Sequence, residues 1–327
     1  MTQRQGLPRL VNGIGIICVE MKVLFVGSGN HGEISPIIKS QGDSLISSGV
    51  EVEYFLIKGK GVRGYLRHVK SLRKYLEERC FEVIHAHYSL SAFTASLAGA
   101  KPMVVSLMGS DVKATRLYKM VIRVFARVYS WKGIVVKSRD MYEDLKIDRA
   151  KIIPNGVDFE RYEPREKGIC RRELGWSDVY IQVLFPANPS RPEKDYNLAR
   201  KAVELSGMNS EIHVFEDVRH EITPLYYYAA DIVLLTSKWE GSPNVIKEAM
   251  ACGCPIVSVD VGDVKERLEG VEGCYVAKTR DPKELAELLQ KALFFEGKTN
   301  GREKIITDGL DNRQVARAMI GIYKTVI

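Results

Sequence analysis

The stretch that decides the fold is residues 236–262, TSKWEGSPNVIKEAMACGCPIVSVDVG. The apolar run ADIVLL at 230–235 stands before it, and β-branched residues in such a short run predict a buried strand. The run PIVSV at 255–259 predicts a second buried strand. The segment between the two runs predicts a helix, so the stretch is typical of one strand–helix–strand repeat of a parallel sheet.

Both ends of that helix carry residues that suit helix termini. Ser242 suits an N-cap, and Pro243 suits the first helical position, where φ near −65° is favoured and no N–H donor is needed. We predict that the helix continues through Met250. Gly253 then suits the C′ position, which favours a left-handed backbone.

Two acids frame this helix start, Glu240 in the turn and Glu248 in the second helical turn. Glu248 shares a helix face with Asn244, four residues earlier. A helix N-terminus offers free N–H groups and partial positive charge, so it suits a phosphate. A phosphate flanked by hydroxyl-binding carboxylates describes a nucleotide-sugar. The alternative is an ordinary strand–helix–strand unit with two surface acids.

The residues EGSPNVIKE at 240–248 resemble the E-x7-E motif of the retaining GT-B glycosyltransferases of family 4. The flanking residues at 230–237 and 248–262 resemble that family as well, and so does IPNGVD at 153–158. The resemblance extends over about residues 21–327. It implies an α/β, GT-B fold, in which two Rossmann-like domains with parallel sheets face a central cleft. It also implies a nucleotide-sugar donor and retention at the anomeric carbon.

The resemblance implies a role for each matching position. Glu240 would hold hydroxyls of the donor sugar, and Glu248 would hold the ribose hydroxyls. Arg191 and Lys194 precede a helix start and suit a diphosphate, although exposed loop charge is an equal alternative for them. The family has a glycine where this chain has Asp195. The predicted catalytic residues are Glu240, Lys194 and Arg191, and the predicted donor-binding residues are Gly241, Ser242, Pro243, Asn244, Val245, Glu248 and Gly32.

A chain of 327 residues is long enough for two domains. We predict an N-terminal extension at 1–20, an acceptor-side Rossmann-like domain at 21–155 and a donor domain at 156–311. Residues 312–327 are predicted to form a helix that crosses back onto the first domain.

The first strand, at 21–26, leads into GSGNHG at 27–32, a G-x-G-x-x-G pattern. A dinucleotide site would also require an acid at the end of the second strand, where this chain has Lys58. We therefore favour a glycine loop ahead of a helix at 34–48. By the resemblance, Gly32 would lie against the donor phosphate.

Two later strand ends carry polar residues, HAH at 85–87 and MGSD at 108–111. The carboxyl ends of parallel strands share one edge of the sheet, where ligands bind. His87 and Asp111 are therefore candidates for contact with the sugar or the acceptor, and packing inside the fold is an equal alternative. Met108 stands where the family has a histidine.

Charge is distributed unevenly between the two halves. Residues 1–155 hold 24 Lys+Arg and 13 Asp+Glu, a net charge of +11, whereas residues 156–327 hold 24 and 28, a net charge of −4. Two basic segments contribute most. Residues 58–79 predict one amphipathic helix with an apolar stripe of Leu66, Val69, Leu72 and Leu76.

A helix at 115–129 has the second basic row and an apolar stripe that we interpret as facing the core. Its basic residues are Arg116, Lys119, Arg123 and Arg127, and its apolar stripe is Leu117, Val121, Val124 and Val128. A solvated face and an anionic membrane surface are both open interpretations of the basic row. No apolar run reaches the roughly 18–20 residues that span a membrane.

Six cysteines show no paired framework, which favours a reduced, cytoplasmic chain. Asp-x-Asp, the metal-chelating pattern of the other main glycosyltransferase fold, does not occur in the sequence, so we expect no required divalent metal. We also expect no cofactor and no nucleic-acid partner. The sequence thus predicts a retaining transferase that moves a hexose-type sugar from a UDP- or GDP-sugar to a glycan or lipid-linked acceptor, in the cytoplasm or peripherally on the inner face of the membrane. The alternatives are a nucleotide-sugar epimerase of the same fold and a nucleotide-sugar-binding protein without transfer.

Overall fold

The computed structural model describes residues 21–30, 32–109, 111 and 115–327. The extension predicted for residues 1–20 lies outside the described residues. The described chain forms two α/β units, each built on a parallel sheet.

The first sheet has six strands in the order β2-β1-β3-β4-β5-β6. Its strands are β1 (Lys22–Ser28), β2 (Glu51–Ile57), β3 (Val83–His87), β4 (Met103–Ser106), β5 (Gly133–Val136) and β6 (Lys151–Ile152). Its helices are α1 (Pro36–Ser47), α2 (Gly61–Leu66), α3 (Val69–Glu77), α4 (Ser89–Ala98), α5 (Arg116–Val128) and α6 (Arg139–Leu145).

The second sheet has five strands in the order β11-β10-β9-β7-β8. Its strands are β7 (Ile181–Phe185), β8 (Ser210–Val214), β9 (Ile232–Leu235), β10 (Ile256–Val259) and β11 (Cys274–Ala277). The remaining helices are α7 (Lys167–Leu174), α8 (Tyr196–Leu205), α9 (Thr223–Ala229), α10 (Asn244–Ala251), α11 (Val264–Leu268), α12 (Pro282–Leu293), α13 (Gly301–Thr307) and α14 (Asn312–Val326).

The first three strands of each unit, taken in chain order, are arranged in the same way in the two sheets. The first strand of each unit, β1 or β7, lies between its second and third strands. The chain therefore leaves β1 and β3, and likewise β7 and β9, in opposite directions, which opens a crevice at the carboxyl ends of these strands. The loops that follow these four strands are where a ligand of this fold is expected to bind.

Apolar residues cover both faces of the first sheet. Tyr65, Leu72 and Ile122 pack on the face that carries α2 to α5. On the other face, Met319 and Tyr323 of α14 are buried against sheet residues. Tyr323 also bonds through its hydroxyl to His85 Nδ1 at 2.7 Å. The last helix of the chain thus packs on the first unit.

The chain passes between the two units at two neighbouring places. The Val157 N–H donates to the Leu310 carbonyl at 2.8 Å, and the Asn312 N–H donates to the Val157 carbonyl at 2.9 Å. Asn312 then donates through its side-chain amide to Ser40 Oγ of α1 at 2.8 Å. These bonds join the linker and the start of α14 into one connection.

The single amphipathic helix predicted at 58–79 is wrong, because the segment forms α2 and α3 with a break at Arg67 and His68. Gly64 of α2 lies so close to Gly59 that a Cβ on Gly64 would be 2.6 Å from the Gly59 carbonyl carbon. Leu66 is exposed and Leu72 is buried, so the predicted residues do not form one stripe.

The core-facing stripe predicted for α5 is also wrong. Ile122 and Ala126 are the buried residues of this helix, whereas Leu117, Val124 and Val128 are exposed. Residues four apart on a helix share a face, so Ile122 and Ala126 form one apolar row and Val124 and Val128 form another. The first row is buried and the second is exposed, so the two rows point in different directions. Only neighbouring elements decide which row is covered.

Candidate functional site

The loops that follow β7 and β9 meet at an ion pair. The Lys194 ammonium donates a direct hydrogen bond to Glu240 Oε1, and the two side chains are only 13% and 14% exposed. Thr236 donates through its hydroxyl to the carbonyls of Lys194 at 3.0 Å and Asp195 at 2.9 Å. These bonds fix one loop on the other and hold a cation and a carboxylate together at the crevice of the second sheet.

Arg191, by contrast, lies on the outer side of its turn. Its Nε donates to Glu193 Oε1 at 2.8 Å, and its side chain is 56% exposed. The structure thus brings Lys194 and Glu240 together and does not bring Arg191 to them.

Asp195 has a left-handed backbone with φ of +54°. Glycine adopts this conformation without strain, and aspartate tolerates it better than most other residues. Arg280 donates to Asp195 Oδ2 at 2.7 Å and to the carbonyls of Ser237 at 2.7 Å and Thr236 at 2.8 Å. Asp195 therefore preserves the turn that the family glycine would make. Its carboxylate also binds Arg280, which in turn binds the loop after β9.

Helix α10 starts one residue later than predicted. Pro243 occupies the N-cap position with φ of −68° and ψ of 120°, and the helix begins at Asn244. The N-cap prediction for Ser242 and the first-position prediction for Pro243 are both wrong. The Ser242 hydroxyl accepts instead from Lys247 Nζ at 3.2 Å. The unsatisfied N–H groups of the first turn thus belong to Asn244, Val245 and the residue after them.

Three glycines bring the loop of Glu240 into contact with both units. A Cβ on Gly262 would lie 2.4 Å from the Gly241 carbonyl oxygen, and a Cβ on Gly241 would lie 3.3 Å from Gly109 Cα. The same Cβ would lie 3.1 Å from the sulfur of Met141. The backbone of this loop is therefore packed between the second unit and the strand-end loop of the first, with no space for larger side chains.

Glu248 is held by one buried hydrogen bond and has a histidine nearby. The Tyr227 hydroxyl donates to its Oε2 at 2.8 Å, and His220 Nε2 lies 3.8 Å from its Oε1. Burial and the Glu248 charge raise the pKa of Tyr227 well above its usual value, so the phenol keeps its proton. Burial lowers the pKa of His220, which is also bonded to Arg161. The carboxylate orientation is therefore set by a buried donor.

A small, partly open cavity of about 30 Å³ extends from Glu248 across to the first unit. Glu248 and Asn244 line it from α10, and Ser40 and Gln41 line it from α1. Asn155 of the linker lies on the cavity wall as well. The face shared by Glu248 and Asn244 is therefore turned toward the interface between the units.

The glycine loop after β1 lies at the crevice of the first sheet. Gly32 is exposed with φ of +90°, and no atom lies within 4 Å of the position that a Cβ would take. The side chain of Asn30 bonds the Gly59 carbonyl at 3.0 Å and the Gly59 N–H at 2.6 Å. The loop is thus tied down at its middle and open at Gly32.

His87 is buried at the end of β3. Its ring lies 4.5 Å from that of Phe25 and 4.1 Å from that of His85, centroid to centroid. Neither ring nitrogen has a hydrogen-bond partner among the described residues. Burial, with the nearby Lys137 charge, holds the pKa of His87 well below its usual value, so the ring is neutral.

Asp111 is fully buried, and its carboxylate is occupied. Oδ2 accepts from the Met108 N–H at 2.6 Å, and Oδ1 accepts from the Ser89 N–H at 3.1 Å and the Ser89 hydroxyl at 2.6 Å. Burial raises the pKa of Asp111 to about 6. Asp111 therefore fastens the loop after β4 to the start of α4, and its oxygens do not reach the surface.

No helix of the described residues is long and apolar enough to cross a membrane. Within the same residues, no three His, Cys, Asp or Glu side chains stand close enough together to hold a metal ion. Cys252 and Cys254 are buried in the core of the second unit.

Two family descriptions match most of the chain between them. Residues 39–161 match "Glycosyltransferase Family 4", and residues 188–293 match "Glycosyl transferases group 1". In fold, the chain is similar to Anabaena Alr3699/HepE solved with UDP and glucose, with a TM-score of 0.73 and 17% identity, over 94% of this chain and 100% of that chain. The chain belongs to the GT-B glycosyltransferases.

Two named glycosyltransferases are similar to this chain. One is the UDP-Gal:alpha-D-GlcNAc-diphosphoundecaprenol alpha-1,3-galactosyltransferase of Escherichia coli, 23% identical over 63% of this chain and 65% of its own length. The other is the D-inositol 3-phosphate glycosyltransferase of Geodermatophilus obscurus, 24% identical over 65% of this chain and 59% of its own length. The matched segments therefore span less than two thirds of either relative.

Sequence reasoning missed Lys247 of this glycosyltransferase. Its side chain is fully buried and donates to the Asn155 carbonyl at 2.8 Å as well as to Ser242. Burial lowers the pKa of Lys247 to about 8. The available signal was a lysine between Ile246 and Glu248, inside the quoted motif, on a helix that the neighbouring apolar residues mark as buried. Lys247 connects the helix start to the linker between the units.

Proposed function

We propose that the protein is a retaining glycosyltransferase that moves a hexose-type sugar from a UDP- or GDP-sugar to a hydroxyl of a glycan or lipid-linked acceptor. The observation that carries this proposal is the Lys194–Glu240 pair at the crevice of the second sheet. Glu240 lies four residues before the start of α10. A cation, a carboxylate and a helix N-terminus in one place match the parts of a nucleotide-sugar.

The diphosphate is proposed to bind between Lys194 and the first turn of α10. The N–H groups of Asn244 and Val245 are free of helical partners, and the helix end carries partial positive charge. Gly241, Ser242 and Pro243 shape the approach, and the open Gly32 would face the same phosphate from the first unit. The side chain of Arg191 would have to leave Glu193 to take part.

The two carboxylates are proposed to hold hydroxyls on either side of the diphosphate. Glu240 would accept from the donor sugar while Lys194 turns toward the phosphate, because an anionic ligand competes for that ammonium. Glu248 would accept from the ribose with the oxygen that Tyr227 does not occupy. A carboxylate already held by a buried phenol does not have to be reoriented when the ribose binds.

The reaction makes a sugar centre with oxocarbenium character and a departing nucleoside diphosphate. The leaving group gains negative charge in the transition state, so Lys194 and the helix N–H groups stabilise that state more than the bound donor. We propose that the departing phosphate takes the proton of the acceptor, which attacks the same face. This route needs neither a protein base nor a divalent metal, and it tolerates Met108 in place of the family histidine.

The acceptor is proposed to bind against the first unit. His87 is neutral and buried, and Asp111 is occupied by Met108 and Ser89, which supports a positioning role for Asp111 in the loop that contacts Gly241. The E. coli relative is named for a lipid-linked acceptor, and the basic first half of this chain suits an anionic membrane surface. We therefore propose a cytoplasmic enzyme that is peripheral on the inner face of the membrane.

The test is incubation of the full chain with UDP- and GDP-sugars, with and without lipid-linked and soluble glycan acceptors. We expect release of nucleoside diphosphate that depends on an acceptor and persists in EDTA. Turnover of the sugar without acceptor would instead indicate an epimerase. Donor binding with no nucleoside diphosphate released under any acceptor would indicate a binding protein and contradict the proposal.

A further inference from the structure

Helix α5 presents an uncovered apolar row on the surface of the first unit. Leu117, Met120, Val124 and Val128 are 66%, 50%, 51% and 66% exposed, respectively. Their spacings of three, four and four residues place them on one helix face. We call these four residues the outer row. Single exposed apolar residues are ordinary on a protein surface, but a contiguous row of them indicates an interaction site.

The outer row is not needed to hold α5 on the protein. Ile122 and Ala126 are buried on another face of the helix, and Tyr118 and Phe125 pack beside them against the core of the first unit. Two cations also fasten α5 to the region of α6. Lys119 pairs with Asp144 at 3.1 Å, and Arg123 Nε donates to the Leu145 carbonyl at 2.8 Å. Within the described part of the chain, the helix is therefore docked on its inner side alone.

Exposed cations accompany the outer row. Arg116 and Arg127 are exposed on α5, and a surface groove beside Val124 and Val128 is also lined by Lys146 and Arg149. This chemistry is typical of a helix that lies in a membrane interface, with apolar side chains in the acyl region and cations at the lipid phosphates.

Helix α2 packs on the same side of the sheet as α5. Val62 and Leu66 are 55% and 41% exposed, and Arg63 and Arg67 are exposed beside them. Tyr65 of α2 is buried in the same core as Tyr118 of α5, close enough for the two phenols to influence each other electrostatically. Both helices thus lie on one side of the sheet and expose cations next to apolar side chains.

We propose that the outer row of α5 inserts into the headgroup–acyl boundary of an anionic bilayer, with Arg116 and Arg127 against lipid phosphates. Charge complementarity identifies this occupant, because the half of the chain that contains α5 has a net charge of +11. A second copy of the chain would place the same cations opposite one another.

This inference rests on the proposed function, since a lipid-linked acceptor gives membrane docking its purpose. Helix α5 begins five residues after Asp111 in sequence, and the loop that Asp111 fastens includes Gly109, which contacts Gly241 of the donor loop. Docking through α5 would hold the acceptor-side loop near the bilayer surface while the second unit stays in water.

The experiment is co-sedimentation of the full chain with vesicles of phosphatidylcholine alone and with about 30 mol% phosphatidylglycerol, without any donor or acceptor. We expect binding to the anionic vesicles at least about tenfold tighter than to neutral ones. The variant Leu117→Ser/Val124→Ser/Val128→Ser should lose about tenfold or more of that affinity at both low and high salt, because it removes apolar insertion. Arg116→Glu/Arg127→Glu should lose affinity mainly at low salt.

Phe294→Ser is the matched control, because Phe294 is an 83% exposed apolar residue of the second unit and should bind vesicles as the original chain does. Thermal unfolding, with and without UDP- or GDP-sugar, separates folding and donor binding from docking, and all variants should retain both. Wild-type sedimentation of the triple-serine variant would overturn the proposal. So would a dimer in solution that the triple-serine substitution dissociates, since the occupant would then be a second copy.

Discussion

The two α/β units share a strand order but differ in how the titratable side chains at their strand ends are paired and buried. In the second unit, Lys194 and Glu240 form a largely buried ion pair at the crevice, with side chains 13% and 14% exposed. In the first unit, the carboxylate of Asp111 is occupied by internal donors and His87 is neutral and buried. Under the proposed function, the second unit would therefore supply the charged chemistry, whereas the first would supply shape and an apolar, basic outer surface.

Removing either member of the charged pair should have the largest effect. Glu240→Ala and Lys194→Ala should each reduce kcat/KM for transfer by at least about 10²-fold, the size of a lost transition-state contact. Lys238→Ala is the matched control, because Lys238 is an exposed lysine of the same loop and should leave the rate nearly unchanged. Initial rates of nucleoside diphosphate release measure all three, and near-original rates in both site variants would contradict the assignment.

A change of backbone shape in the donor loop should have the next largest effect. In Gly262→Ala the new Cβ would meet the Gly241 carbonyl, so the loop that carries Glu240 must move. We expect a loss of stability above about 1–2 kcal/mol together with weaker donor binding. Gly270→Ala has a similar positive φ but open space around it, so it should show only the backbone strain. Equal losses in both variants, measured by urea unfolding and donor titration, would exclude the contact as the cause.

Lys247→Met tests the connection between the donor helix and the linker. The variant keeps the apolar packing and removes the bonds to Asn155 and Ser242. We expect donor affinity to fall by roughly tenfold, about the size of one or two lost buried hydrogen bonds. Lys137→Met is the matched comparison, because Lys137 is buried and donates to another linker carbonyl, that of Ile153, at 3.3 Å, without touching the donor loop. Equal donor affinities in the two variants would argue that Lys247 acts only on stability.

The first unit should show a pH effect of its own through Lys137. Burial lowers the pKa of Lys137 from 10.5 to about 7. Between these values the unfolded chain holds a proton that the folded chain lacks, so the free energy of unfolding rises with pH across this range. Below about pH 7 both states carry the charge, and the folded state bears the cost of burying it.

Lys137→Met removes this dependence. The Tm of the variant, relative to that of the original chain, should therefore be higher at about pH 6 than at about pH 10. The effect on transfer itself should be the smallest of the set, because Lys137 donates to the Ile153 carbonyl and not to the donor loop. A Tm difference that does not change with pH would contradict the assignment to Lys137.

The strands and the donor loop could be predicted from sequence because they depend on local patterns. Apolar runs marked the strands, and the residues at 240–248 carried a specific resemblance. The start of α10 could not be placed correctly, because the Ser242 hydroxyl is used by Lys247, a contact made only after folding. The exposed row of α5 was misassigned because the helix has apolar residues in two directions, and only the neighbouring helices decide which is covered.

The most direct test of the central claim is a thermal-shift panel of UDP-, GDP- and ADP-sugars on the original chain and on Lys194→Ala. A ligand that binds only the folded state raises the Tm by an amount that grows with the logarithm of one plus its concentration divided by its dissociation constant. We predict that a UDP- or GDP-sugar raises the Tm of the original chain, and that the same sugar at the same concentration raises the Tm of Lys194→Ala far less. An equal rise in both chains would place the donor elsewhere and contradict the account.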